Sequence, residues 1–225
     1  MIDVFYLGAY WWQRKEELST IVNKTIAFLK ELSALDEEFK DWYEQGYNKS
    51  EASKKVLFEA SNIEKLYKRG INKKDLDDKG FSKIGFSIGL WTGHKEEYSS
   101  SISINSGHAS KFFPNACVIT LPIAEDAKER LLKLSVQKEI INLMVKNWNP
   151  DSLVLNSQEL KNETGLINQI GWITYIKNLS YHSKISDKIV HEKFNSGDLF
   201  YLNVKDDKSY SYELSKELIT LKALL

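Results

Sequence analysis

Between Ile84 and Trp91 the chain alternates without a break. Ile84, Phe86, Ile88 and Leu90 interleave with Gly85, Ser87, Gly89 and Trp91. A period of two turns successive side chains to opposite faces, so this run is a strand and is incompatible with a helix. Tyr98, Ser100, Ile102 and Ile104 repeat the pattern opposite Ser99, Ser101, Ser103 and Asn105, and Asn115 to Leu121 supplies a third strand. The three runs predict an antiparallel meander with one apolar face and one face built largely of glycine and serine.

Something apolar must cover the first face. Pro122, Glu125 and Asp126 open a helix predicted to run to about Asn147. Leu131, Leu134, Ile141 and Val145 form one row along it, and Leu132, Val136, Ile140 and Leu143 form the adjacent row. A stripe that wide predicts a long central helix lying on the sheet, and Pro150 forbids its continuation.

Upstream, a short apolar strand near Asp3 to Leu7 precedes a helix expected from Lys15 to Leu32, where Leu18, Val22, Thr25, Leu29 and Leu32 share a face. Asp36-Glu37-Glu38 suits a second helix carrying Phe39, Trp42 and Tyr43 and ending at Gly46, since acids favour the positive end of the helix dipole. Ser61-x-x-Glu64 has the form of a capping box, with Gly70 as the stop of that third helix. Downstream, Leu153 to Leu155, Gly171–Ile176, Lys188–Lys193 and Leu199–Val204 read as strands. Leu214, Leu218, Leu221 and Leu225 give a C-terminal helix one apolar face.

The expectation is an α+β fold in one domain, residues 1–225, with antiparallel sheet, a long central helix, additional N-terminal helices and a C-terminal helix. Three strands followed by a helix occur twice, at about 84–147 and 171–225. The halves share little sequence.

Charge and composition remove several classes of function. Thirty-one basic residues balance thirty-one acidic ones, so the basic excess of a general nucleic-acid or anionic-membrane binder is absent. The single cysteine, Cys117, sits in the apolar run Ala116-Cys117-Val118-Ile119 and reads as a buried, inert thiol. No apolar stretch approaches the ~20 residues of a membrane span. The N-terminus lacks the basic start and small-residue cleavage site of a signal peptide, so a cytoplasmic protein is expected. His94, His108, His182 and His191 have no metal-ligand spacing, and no glycine-rich phosphate loop is present; neither metal nor cofactor is expected.

One catalytic pattern stands out. Asp151 follows Pro150, and Glu159-Leu160-Lys161 comes eight residues after that aspartate, a spacing used by Mg²⁺-dependent nucleases. That chemistry needs the Glu and Lys on a buried core strand, pointing the same way. The segment Asn156 to Glu163 is instead polar throughout and reads as a loop or short solvated helix. Asp151, Glu159 and Lys161 as a nuclease centre therefore form the alternative reading, together with a non-toxin adaptor; no catalytic residue is assigned.

Recognition surface remains. The Gly/Ser face, with Ser87, Ser101 and Ser103 and with Trp91 at its rim, is either covered by a helix packed on Gly85 and Gly89 or free to dock a protein. The acidic-aromatic segment with Glu37, Asp41, Trp42 and Tyr43 is a second candidate.

Large aromatics beside turns and charges then give the chain a recognisable signature. Tyr10-Trp11-x-x-Arg14, Phe28-Leu29 with Leu32, Leu35-Asp36-x-x-Phe39-x-x-Trp42-Tyr43, Gly85-Phe86, Trp91-x-Gly93, Asn115, Leu121-Pro122, Trp148-x-Pro150-Asp151 and Gly171-Trp172-Ile173-Thr174-Tyr175 occur in that order. In these the chain resembles the immunity protein 52 family of bacterial polymorphic toxin systems. It departs from the family at Trp12-Gln13, where Gly-Pro is usual, and at Asn149, where aspartate is usual. The resemblance implies a non-enzymatic protein of the producer's cytoplasm; a monomer or a homodimer is expected. It is expected to bind and neutralise a cognate secreted toxin of a restriction-endonuclease-like nuclease class, without itself contacting nucleic acid or membrane.

Overall fold

A computed structural model describes residues 3–46, 52–165, 170–179 and 185–224; His182 and Leu225 lie outside them. The strands are β1 (Phe5–Trp11), β2 (Tyr43–Glu44), β3 (Phe86–Trp91), β4 (Ser101–Ser106), β5 (Asn115–Thr120), β6 (Ser152–Ser157), β7 (Ile173–Lys177), β8 (Ile189–Phe194) and β9 (Gly197–Leu202). The helices are α1 (Leu18–Leu35), α2 (Ala60–Arg69), α3 (Glu125–Leu131), α4 (Leu134–Trp148), α5 (Gln158–Thr164) and α6 (Ser215–Leu224). The fold is α+β.

The nine strands of the described residues join one sheet in the order β2-β3-β4-β5-β1-β6-β7-β9-β8, and every named pair is antiparallel. β1, at the N-terminus, lies between β5 and β6 and joins the two groups of strands. The meander β3-β4-β5 pairs in chain order, whereas β7 pairs with β9 and leaves β8 at the edge, so the two three-strand stretches differ in topology.

Period two decides the inner face. Leu7, Ala9 and Trp11 of β1 line up with Ile88, Leu90, Ile102, Ile104, Cys117 and Ile119 on one side and with Leu153, Leu155, Ile173 and Tyr175 on the other, all buried. Val22, Thr25, Leu29 and Leu32 of α1 and Ile140, Ile141, Met144 and Trp148 of α4 complete that core. Leu218 and Leu221 of α6 are buried as the apolar face required.

Three local expectations are corrected. The long helix after Pro122 is two helices. Leu132 ends α3 and Lys133 is extended, with φ −60° and ψ 136°. The break is held by a segment distant in sequence: Leu134 N–H donates to the Asp207 carbonyl at 2.8 Å, and the Ser209 N–H and hydroxyl donate to the Leu132 carbonyl. Asp207 also accepts from the Ser135 N–H at 2.9 Å and serves as an N-terminal cap for α4.

The acidic segment at Asp36 does not grow into a helix. It makes a single 3₁₀ turn, Glu37–Phe39, capped by the Asp36 side chain, and Tyr43 and Glu44 then pair with Trp91 and Leu90 as β2. Third, Ser61 lies inside the first turn of α2, whose N-cap is Glu59 with no side-chain capping bond, so no capping box forms; Gly70 ends that helix as expected.

Candidate binding surface

The tryptophan-rich motifs far apart in sequence form one structural joint. Trp11 stacks on Trp148 at 5.5 Å between ring centroids, and Phe28 meets Trp148 edge-on at 5.9 Å. The Arg14 guanidinium lies 5.0 Å over the Trp11 ring and donates to the carbonyls of Trp148 and Asn149. Those are carbonyls that the end of α4 leaves without helical partners. Asn149 closes α4 in the left-handed region, φ 47°, and Asp151 Oδ2 accepts the Trp12 N–H at 2.8 Å. Gln13 is also left-handed, φ 50°. A proline ring fixes φ near −65°, so this turn differs in backbone from one built on Gly-Pro.

That joint accounts for Asp151. Its amide donates to the Tyr10 carbonyl at 2.8 Å and its carbonyl accepts from Lys177 N–H at 2.9 Å. Glu159 and Lys161 sit on α5, beyond the opposite end of the six-residue strand β6, roughly 20 Å away at about 3.3 Å per residue. The residues of the nuclease alternative do not share a site. Among the described residues no group of three His, Cys, Asp or Glu side chains is placed to hold a metal ion. Cys117 is fully buried, which raises its thiol well above the usual range.

The acidic-aromatic candidate is largely consumed by the fold. Trp42, fully buried and stacked against Phe39, offers no surface at all. Glu38, 5% exposed, accepts the Thr92 hydroxyl at 2.9 Å and the Ser100 N–H at 3.0 Å. Asp36 is held by both bonds of Arg130 Nη1, Asp41 pairs with Lys55 at 2.7 Å, and Glu44 pairs with Arg69. Glu37 is exposed. Tyr43 is half-buried, opposite Trp91 and under Gly93. These residues do not converge on one patch.

The Gly/Ser candidate does converge. Strand register lays its residues in three cross-strand rows on the outer face. Ser87, Asn105, Ala116, Tyr10 and Ser152 form one, Gly89, Ser103, Val118, Gly8 and Val154 the next, and Trp91, Ser101, Thr120, Tyr6 and Asn156 the third. No charged side chain interrupts them. Ser87 and Ser103 are exposed, and Trp91, Ser101, Asn105, Ala116, Val118, Thr120, Tyr6 and Tyr10 are partly so; this half of the outer face is open to solvent. Toward β7 and β9 the same face closes, with Val154, Asn156, Thr174 and Phe200 buried.

Among the described residues no helix roofs Gly85 or Gly89. The space a Cβ would take at Gly89 is filled by the Gln45 side chain, and at Gly8 by Tyr10. Gly85 has φ +92°, where a side chain would be strained and would meet Asn105.

The open face is stiff. Trp91 Nε1 donates to the Ala52 carbonyl at 2.9 Å and to Glu44 O at 3.2 Å, and Asn105 Nδ2 donates to Ser87 Oγ at 2.6 Å. Burial pushes the Tyr10 hydroxyl up to about 12, helped by Tyr6, and raises Tyr6 too, with Asp3 adding to it. Both phenols stay protonated at neutral pH. Tyr6, Gly8 and Tyr10 are the residues that sequence reasoning missed. Their signal was present, because Phe5, Leu7, Ala9 and Trp11 alternate with them to the end of β1.

Comparison with known proteins decides the family. The model of immunity protein 52 matches residues 3–184. The chain belongs to the immunity protein 52 family. No curated protein matches it. Among solved structures, the chain is similar to the Pseudomonas aeruginosa T6SS protein PA0821, with a TM-score of 0.51 at 8% identity over 99% of this chain and 72% of that one. At that identity the likeness concerns the fold. Most of the motifs that signal the family, Trp11, Arg14, Trp148, Asp151, Gly171 and Trp172 among them, sit in the scaffold rather than on the open face.

Proposed function

We propose that this protein neutralises a cognate toxin by covering it with the outer face of β3-β4-β5-β1, without turnover, in the cytoplasm of the producing cell. Family membership supports an immunity role, and a solved structure similar to it is named as a T6SS protein. No helix among the described residues is long and apolar enough to cross a membrane, which accords with an encounter in solution.

The carrying observation is the uncharged open face of Tyr, Ser, Gly, Asn and Thr side chains. Such a set supplies amphipathic contact area and adaptable hydrogen bonds at low conformational cost, as antibody paratopes do. Its hydrogen-bonded side chains are preorganised, so little entropy is lost when a partner docks. Immunity requires that almost no free toxin remain, and toxin–immunity pairs reach Kd on the order of 10⁻¹³ M.

The toxin proposed is a nuclease, an inference from the family resemblance. Asp41, Glu44 and Asp36 of the acidic-aromatic segment are matched internally by Lys55, Arg69 and Arg130, so shape and polar contact on the uncharged face bear the recognition instead.

The test mixes the protein with the purified toxin encoded by the adjacent gene. A stable complex on size exclusion at micromolar concentration and rescue of growth are expected. Ser103→Arg, which places a charge in the middle row, is expected to cost neutralisation while leaving the melting temperature within a few degrees. Unchanged protection by Ser103→Arg would refute this face as the binding surface.

A further inference from the structure

The open face ends in a cluster of exposed apolar side chains, on the side where β1 and β4 stop and β3 and β5 begin. The β4–β5 connection carries Phe112, 94% exposed, and Phe113, 41% exposed. Ile84 precedes β3 and Trp12 follows β1, both about half exposed. Phe81, Ile84, Phe112 and Phe113 border one shallow depression of about 570 Å³, joined by Lys83 and Lys111. Asn105 Nδ2 donates to the Ile84 carbonyl at 3.4 Å, so the depression continues directly from the face described above.

Phe112 is held out rather than left loose. Phe113 lies on the buried His108 ring at 4.5 Å. His108 N–H donates to Asn115 Oδ1, and Asn115 Nδ2 returns a bond to the His108 carbonyl, both at 3.1 Å. Ser110 N–H donates to His108 Nδ1 at 3.2 Å and Phe112 N–H to Ser110 Oγ at 3.1 Å. A fully exposed phenylalanine on a braced loop contributes nothing to folding and is the side-chain type that anchors interfaces.

Charge selects the occupant. A third lysine at this rim, Lys15, is neutralised by Asp77 at 2.6 Å. Lys83 and Lys111 have no carboxylate partner among the described residues. A two-fold contact with a second copy would bring these lysines against their own kind around the apolar centre. A partner with carboxylates around an apolar socket matches both features.

We infer that Phe112 is the anchor by which this protein selects its toxin, its ring entering an apolar socket while Lys83 and Lys111 meet acidic residues at the socket rim. The inference rests on the toxin-binding reading above and adds where specificity lies.

The experiment measures binding kinetics of an inactive form of the toxin encoded by the adjacent gene against wild type, Ser103→Arg, Phe112→Ser and Lys111→Glu, with circular dichroism confirming each fold. Phe112→Ser is expected to raise Kd about thirty-fold, chiefly through faster dissociation. Lys111→Glu is expected to slow association, more at low salt than at high. An unchanged Kd for Phe112→Ser with a tight wild-type complex overturns this inference and leaves toxin binding standing. No complex with wild type fells the toxin-binding reading, and this one with it. Two further outcomes also overturn it: wild-type self-association in sedimentation velocity that Phe112→Ser abolishes, or pelleting with phosphatidylserine–phosphatidylcholine vesicles that the same substitution abolishes.

Discussion

Single side chains act here in ways their sequence positions hide. Asp151 reads as a candidate metal ligand beside Pro150, yet its carboxylate accepts the Trp12 N–H and its backbone ties β1 to β7. Asp151→Ala is expected to destabilise the fold by about 0.5–1 kcal/mol, the net worth of a lost hydrogen bond at an exposed amide. Denaturant unfolding measures that, and no DNA-cleaving activity should be gained or lost with it.

His108 gives a pH signature at the same scale. Burial lowers its pKa below the ordinary 6.5, and its Nδ1 accepts the Ser110 N–H, which requires that nitrogen to be unprotonated. The unfolded chain therefore binds a proton at this position more readily than the folded one, and stability falls as pH drops through 6.5 toward the folded value. Melting temperatures between pH 7.5 and 5.5 are expected to decline more in wild type than in His108→Gln. Equal slopes would contradict the assignment.

At the scale of elements, the sequence was most legible where period and burial agree. Within β3, β4 and β5 the expected alternation holds, although Ile84 and Tyr98, expected on the apolar face, precede their strands and are exposed, Tyr98 in a 3₁₀ turn, and Pro150 marks the end of α4. It was least legible where a distant segment intervenes. Leu131 to Val145 keeps helical spacing across the α3–α4 break, because what opens the helix is the 207–209 segment bonding to Leu132, Leu134 and Ser135. Phe39, Trp42 and Tyr43 satisfy an i, i+3, i+4 template, but Trp42 enters the core while Tyr43 pairs with Trp91 as a strand residue. Tertiary pairing overrides a propensity worth only tenths of a kcal/mol per residue.

Two substitutions probe this level. Asp207→Ala removes the cap on α4 and should cost about 1 kcal/mol, seen as faster amide exchange at Leu134 and Ser135. Gly171→Ala is expected to be more severe, about 3 kcal/mol or above, because its Cβ would stand 2.1 Å from the Leu155 carbonyl between β6 and β7. A melting temperature unchanged by Gly171→Ala would contradict the close approach.

For the whole molecule, the sheet divides its labour. One face is sealed by α1 and α4, while half of the other is left open, uncharged and lined by small residues and tyrosines. The Gly/Ser half of that face was legible in the strands β3 and β4. Tyr6 and Tyr10 were not singled out as surface residues, because only the order β5-β1-β6 places β1 beside the meander, and no local pattern encodes that order. The pairing of the acidic-aromatic segment was illegible for a related reason: Asp36, Asp41 and Glu44 look free in sequence and are paired with Arg130, Lys55 and Arg69 in space.

Hydroxyl-radical footprinting of the complex with the cognate toxin reads the covered surface directly. Tyr6, Tyr10 and Trp91 are expected to lose most of their labelling on binding, while Ile219 on α6, 46% exposed in the free protein, keeps its own. Full labelling of all three aromatics in a complex that still neutralises the toxin would contradict the account.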